Sequence, residues 1–262
     1  MIFQHHLNPA ILHIGPIQIT WYGLMYVIAF ILASHLFRKF SKEKTLHLTF
    51  KQIDTLMLYG FLGLLIGARL FYILFYNFHF YLEHPSELLT LQIRGLSFHG
   101  GLLGIIIAVI FFAKKHHRSF WNISGHVVIA APLGIMMVRL GNFINGELYG
   151  RLTNGSWGVI FPDGGPHPRH PSQLYEAFSE GILLFFIMYF TQHRWKPHHR
   201  GPLFLILYGC FRFLMEFFRE PDAQLGFIMA HLSMGQILCL IMIFSGSLLL
   251  YLHSKSANFW HF

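Results

Sequence analysis

Long apolar stretches separated by short polar ones dominate this chain. Seven of them, near 20–38, 52–76, 97–114, 120–140, 172–191, 202–218 and 233–252, approach the roughly 20 residues a helix needs to cross a hydrocarbon core about 30 Å thick, some with one polar interruption. The pattern predicts an all-α integral membrane protein of about seven transmembrane helices, filling residues 20–253. Residues 1–19, with turns at Asn8-Pro9 and Gly15-Pro16, read as an external interfacial arm. External segments fall near 77–95, with a leucine-rich piece from Glu87 to Ile93 along the interface, and at 142–171, and a cytoplasmic tail at 254–262.

Composition agrees. Of 262 residues 54% are hydrophobic and only 11% charged, which excludes an ordinary soluble domain of that length. The net charge of +8 suggests nucleic acid until its distribution is examined. With loops assigned alternately to two sides, every lysine falls on one side, with Arg38, Arg118, Arg194 and Arg200. The opposite side carries Arg94, Arg151, Arg169 and Arg219. The positive-inside rule makes the lysine side cytoplasmic, which predicts an external N-terminus and a cytoplasmic C-terminus, with no nucleic-acid partner. Cys210 and Cys239 lie in separate apolar stretches without metal or disulfide spacing and read as buried structural thiols; no metal or cofactor is expected. Histidines in basic loops, such as His116-His117 and His198-His199, read as solvated.

Three arginines, Arg69, Arg139 and Arg212, fall inside apolar stretches. A guanidinium has no neutral form near pH 7 and costs about 3 to more than 10 kcal/mol in hydrocarbon, so each needs a partner. Arg69 can snorkel to the outer headgroups or serve a site. Arg139 opens the densest polar stretch of the chain, which continues through Asn142, Asn145, Glu147, Tyr149 and Arg151, with glycines at 141, 146 and 150. Amides and backbone N–H groups freed by turns hold phosphate or hydroxyl oxygens, and a carboxylate orients an arginine. Arg212 sits about 15 Å into its stretch, with Tyr208 and Glu216 four residues away on the same helical face. Glu216 could neutralise it as a structural pair, or the arginine could line a pathway. Ser172 reads as an N-cap, while Glu176 and Glu180 either serve the helix dipole or turn inward, Glu176 to a buried arginine. Tyr22 and Tyr26 share one face near the outer boundary, as belt tyrosines or site residues. His99, in Ser97-Phe98-His99-Gly100-Gly101, is a belt or capping residue or the best general base on the outer face. Gly60, Gly63 and Gly67 predict close helix packing.

Arginines at a lipid boundary, with asparagine and glycine turns, suit an anionic phosphodiester that enters sideways while its acyl chains stay in lipid. No GxSxG, HExxH or P-loop supports serine hydrolysis, zinc proteolysis or nucleotide chemistry. The strings Arg139 to Arg151, Ser97 to Gly101, Arg169 to Glu176 and Phe217 to Asp222 closely resemble the bacterial phosphatidylglycerol:prolipoprotein diacylglyceryl transferases, from Trp21-Tyr22-Gly23 to Ser233-Met234-Gly235-Gln236. Tyr149 stands where that family commonly has tryptophan.

The resemblance implies an inner-membrane enzyme working at the outer leaflet. It would transfer the diacylglyceryl group of phosphatidylglycerol to the lipobox cysteine of a prolipoprotein, forming a thioether and releasing glycerol phosphate. The nucleophile then belongs to the substrate. In this reading His99 takes the thiol proton, and Arg139 and Arg212 bind the phosphodiester and stabilise the leaving group. Tyr22, Asn142, Asn145, Glu147, Gly150, Glu176 and Tyr208 form the substrate-binding wall. The competing classes are an anion transporter or flippase, which would call for paired half-helices or an internal repeat, and a membrane scaffold.

Overall fold

The computed structural model describes residues 1–15, 17–86, 95–220, 227–229 and 232–255. The leucine-rich piece from Glu87 to Ile93, Pro221-Asp222 and the tail after Lys255 lie outside the described residues. Two compact units emerge, Met1–Leu36 with Gly125–His261, and Phe37–Ser124.

Six helical stretches are long and apolar enough to cross a membrane: α1 (Trp21–Lys42), α2 (Phe50–Tyr76), α4 (Phe98–Lys115), α5 (Phe120–Asn145), the continuous stretch Ser172–Arg194, and α9 (Met234–Lys255). Between α2 and α4 lies the short α3 (Phe78–Glu83). The stretch Ser172–Arg194 is α6 (Ser172–Glu176), a π-helical segment (Ala177–Leu183), α7 (Leu184–Thr191) and a final 3₁₀ turn. The remaining apolar stretch, 202–218, becomes α8 (Pro197–Met215), a 19-residue helix whose His198, His199, Arg200 and Arg212 leave it outside that apolar set. Large apolar side chains on these helices face outward, among them Phe75, Phe190 and Phe244 at 69–70% exposure, as a lipid-facing surface requires.

The second unit is held by helix contact at small residues. Gly63 and Gly67 of α2 face Gly100 and Gly104 of α4, and a Cβ at Gly67 would lie 2.9 Å from the Gly104 Cα. Close approach of this kind supplies the dispersion contacts that associate helices in lipid, where apolar side chains gain nothing by leaving their neighbours. Gly60 faces open space and takes no part. At the other end of α2 Thr49 and Gln52 form a capping box, and Phe40, Leu46, Ile53 and Phe112 are buried. Arg69 lies over the Tyr81 ring, 5.5 Å from its centre.

In the first unit α8 and α9 run antiparallel, in contact where Gly209 meets Ile243 and Gly246 meets Pro202. The extramembrane segments add short β-pairs to an otherwise helical chain. β1 (Ile2–Gln4) pairs in parallel with β4 (Gly158–Ile160), β2 (Ala10–Ile14) with β3 (Ile17–Thr20), and β5 (Phe227–Met229) with β6 (Leu232–Ser233). The amino-terminal arm is therefore partly woven into the loop after α5. His5, 2% exposed, bonds through Nε2 to the Phe143 carbonyl at 2.7 Å.

Several sequence expectations are corrected. Ser172 is not the N-cap: Pro171 occupies that position, and the Ser172 hydroxyl donates to the Leu148 carbonyl. Cys239 is buried as expected, but the Cys210 thiol is exposed. His198 and His199 are half-buried, not solvated. Helix α5 runs one turn beyond residue 140, so Asn142 and Asn145 are helical, and α8 stops at Met215, leaving Glu216 as its cap.

Gly104→Leu forces a side chain into the α2–α4 contact and is expected to lower the thermal midpoint of the purified protein by several degrees, overpacking costing about 1–3 kcal/mol. Gly60→Leu, into open space, should leave the midpoint within a degree or two. Equal midpoints for the two variants would contradict the assigned contact.

Candidate active site

A network of arginines and glutamates lies at the centre of the first unit. Glu176, whose side chain is 1% exposed, holds Arg139 Nε at 2.7 Å through one oxygen and Arg212 Nη1 at 3.1 Å through the other. Arg219 Nη1 lies 3.7 Å from the second oxygen. Glu180, on the π-helical segment, is fully buried; its carboxylate has no hydrogen bond among the described residues and sits 3.7 Å from Arg212 and 3.9 Å from Arg139. Arg212 Nη2 reaches Glu216 Oε2 at 2.7 Å. Three guanidiniums thus face three carboxylates.

Local structure explains how these charges are held. Glu176 and Glu180 are one helical turn apart on one continuous stretch, and Gly181 lets the π-helical segment approach α5 so closely that a Cβ there would lie 2.6 Å from that of Met136. π-helical turns recur at functional sites because they shift side chains out of the regular helical register. Glu216 sits at the start of α9, where Ser233 Oγ donates to it at 2.9 Å and the helix N-terminus favours negative charge. Only glycine fits at Gly235, since a Cβ there would lie 2.7 Å from the Glu216 carboxyl carbon. Ser233 and Gln236 cap the helix start reciprocally. Tyr208, one turn below Arg212 on α8, lies within electrostatic reach of Glu180, Arg139, Arg212 and Glu176.

The stretch after Arg139 builds a second layer. Asn142 and Asn145 both donate to Glu147 Oε1, at 2.8 and 3.2 Å, and Gln173 Nε2 donates to the Glu147 carbonyl at 2.7 Å. Tyr22 lies within reach of the charges of Glu147 and Arg139, its hydroxyl 3.4 Å from that of Tyr26. Gly141 makes that approach possible: a Cβ there would lie 2.9 Å from the Tyr22 ring. Gly150 works through its backbone. It bonds to the His170 carbonyl at 2.9 Å and pairs with Arg219, where a side chain would collide with the Phe218 and His170 main chain. Arg151 donates to the Arg219 carbonyl, and Arg169 to Glu220 and the carbonyls of Gly150 and Gly164. Both tie the loop after α5 to the end of α8. Among the rings of Trp157, Tyr175 and Phe218, burial pushes the His170 imidazole down from its usual value.

Every arginine and glutamate of the network is a first-unit residue. His99 belongs to the second unit, at the first turn of α4, where Ser97 caps the helix and the His99 ring is exposed, 6.5 Å from Phe71. Sequence reasoning left Arg219, Glu180, Gln173 and Ser233 out of the site. Arg219 lies past the apolar stretch, so burial could not be read there, although its Phe-Arg-Glu-Pro-Asp string was a signal. Glu180 had the four-residue spacing from Glu176.

The network can bind an anion. The three guanidiniums keep 13–15% of their surface exposed, and an arginine has five N–H donors of which the glutamates use only some. Phosphate accepts such donors in bidentate geometry.

Residues 9–252 match the family model for prolipoprotein diacylglyceryl transferase. The chain is 47% identical to the phosphatidylglycerol–prolipoprotein diacylglyceryl transferase of Pasteurella multocida (strain Pm70) over 255 residues, covering 96% of this chain and 94% of that protein. It is 47% identical to the Aliivibrio fischeri (strain MJ11) protein of the same name, covering 94% and 87%, and 44% identical to the Coxiella burnetii (strain RSA 331 / Henzerling II) protein, covering 96% and 97%.

Removing one partner of a buried ion pair costs about 3–5 kcal/mol, whereas a surface pair contributes about 0–1 kcal/mol. Glu176→Gln is therefore expected to destabilise the purified protein strongly, and Glu220→Gln, at the exposed pair with Arg169, hardly at all. Thermal unfolding in detergent checks this, and indistinguishable midpoints would remove Glu176 from its central place.

Proposed function

The chain belongs to the prolipoprotein diacylglyceryl transferase family, and we propose that it moves the diacylglyceryl group of phosphatidylglycerol to the lipobox cysteine of a secreted prolipoprotein. The observation that carries the chemical reading is the cluster of Arg139, Arg212 and Arg219, held in place by buried carboxylates while retaining accessible donors.

The lipid phosphodiester takes the free N–H groups of Arg139 and Arg212, with its acyl chains left in the bilayer. The substrate thiol, with an ordinary pKa near 8.5, gives up its proton, and His99 accepts it. The thiolate attacks the glyceryl carbon, a C–S bond forms, and the C–O bond to phosphate breaks with its electron pair passing to the departing glycerol phosphate. The arginines stabilise that developing charge, a role that supplies several kcal/mol in comparable sites. Asn142, Asn145, Glu147, Tyr22 and Tyr208 shape the wall around the headgroup, with Glu147 held by both asparagines. Gly150 serves by letting three backbone segments meet, and Glu176 by fixing the arginine forks.

The topology is part of the proposal. Helix α8 is the seventh span, its charged residues shielded by its neighbours. Seven spans with every lysine on one side put the N-terminus outside, the C-terminus in the cytoplasm and the site toward the outer leaflet of a bacterial inner membrane.

The test uses purified protein, phosphatidylglycerol and a lipobox peptide, with mass spectrometry of the peptide. A diacylglyceryl mass increment with stoichiometric glycerol phosphate is expected; lipid movement without an adduct would overturn the transferase reading in favour of transport. Arg139→Lys keeps the charge but loses the planar fork, so turnover should fall about 100-fold, the scale for one lost oxyanion donor. Unchanged turnover would argue against bidentate phosphate binding. His99→Ala should cost about 100-fold or more if it is the base; retention of most activity would assign thiolate formation to the arginine field alone.

A further inference from the structure

A second concentration of positive charge lies in the same unit, about 20 Å along α8 from Arg212. There the start of α8 and the end of α9 enclose a groove of about 450 Å³. Ile206 and Leu250 line it with apolar surface, Trp195 and Tyr251 with aromatic rings, and His199, Ser247 and Ser254 with polar groups. The Lys255 ammonium stands over the Tyr251 ring, 4.7 Å from its centre, and Lys196 is exposed at the head of α8. His198 and His253 crowd beside His199, with ring centres 4.2 Å (His198–His199) and 5.5 Å (His198–His253) apart. Neither residues 181–215 nor residues 223–262 contain an aspartate or glutamate, so nothing on these elements neutralises the charge.

Topology alone explains exposed lysines at an inner helix end, but it calls for no groove. Here the groove is built. Arg200, 6% exposed, donates to the Gln192 carbonyl at 3.1 Å and the Trp195 carbonyl at 3.3 Å, and its Nη1 lies 3.3 Å from His126 Nε2. The turn carrying Trp195 is thereby fixed. His199 lines the groove with its ring, whose Nε2 is turned away from the groove surface and buried. Flanking ammonium groups, aromatic rings and apolar side chains match the layers of a phospholipid: phosphate, interface, then acyl chain.

We propose that this groove seats the phosphodiester headgroup of an anionic phospholipid, in the leaflet opposite the arginine network. Lys196 and Lys255 supply the charge, and the apolar surface of Ile206 and Leu250 starts the acyl-chain path. The groove is separate from the transferase site, and its occupancy does not depend on that reading.

Photo-crosslinking in lipid nanodiscs tests it. The full chain is incubated with phosphatidylglycerol or phosphatidylcholine carrying a diazirine near the headgroup, and labelled peptides are mapped. Labelling of the 195–206 and 247–255 region by the phosphatidylglycerol probe is expected, at least about fivefold above the phosphatidylcholine probe. A surface lysine contributes about fivefold to anionic-lipid binding, so the double variant K196Q/K255Q should lose about tenfold or more of that label while transfer to a lipobox peptide stays within about twofold. Excess inorganic phosphate should not compete, since it lacks the acyl chains. Equal labelling by both probes, labelling unchanged in the double variant, competition by free phosphate, or labelling that appears only after the residues beyond Lys255 are removed would each overturn the proposal, the last by making the tail the occupant.

Discussion

The bidentate position of Glu176 between Arg139 and Arg212 is the constraint on which the rest of the first unit depends. Guanidiniums on apolar helices are tolerable only with partners, and a single carboxylate with one oxygen on each fixes the distance between α5 and α8. Glu180 and Glu216 complete the charge balance from two further elements. The arrangement leaves the arginines neutralised but not saturated. That is the electrostatic condition for capturing an anion: a phosphate would meet forks already oriented by the carboxylates.

The packing serves that constraint. A helix start against Glu216 is possible because Gly235 has no side chain, and the π-helical segment carrying Glu180 nests on α5 at Gly181. The loop after α5 is tied to the α8 end through Gly150, Arg151 and Arg169, so Arg219 is held at the edge of the network by backbone pairing as much as by charge. In the second unit glycine contacts of α2 and α4 do the equivalent work without any charge at all.

Much of this was legible in the sequence. The apolar stretches predicted the six helices that qualify as spans, and of the three arginines inside apolar stretches Arg139 and Arg212 belong to the charge network, whereas Arg69 lies over Tyr81 in the second unit. Pairing with a buried arginine was one of two readings of Glu176; it holds two. The four-residue step from Arg212 to Glu216 allowed a pair as one of two readings, and the two side chains do meet, although the helix ends between them and the cap geometry sets the contact. Other features were hidden for physical reasons. Glu180 has the composition of a dipole-serving carboxylate, and only burial distinguishes it. Arg219 lies beyond its apolar stretch, where exposure is the default. Gly150 looked like a ligand-facing turn, and its close approach to the His170 and Phe218 main chain is tertiary information. The β-pairing of the first residues with Gly158–Ile160 spans more than 150 residues and leaves no local pattern.

The central claim is that Arg139 and Arg212 hold the phosphate of a membrane phospholipid. Phosphorus-31 NMR of phosphatidylglycerol added to the purified protein measures this directly. A shifted resonance for bound phosphate is predicted in the native protein and should be lost in both Arg139→Gln and Arg212→Gln variants that remain folded. The same bound resonance persisting in both folded variants, each made with K196Q/K255Q so that the α8–α9 groove contributes no bound lipid, would contradict the account.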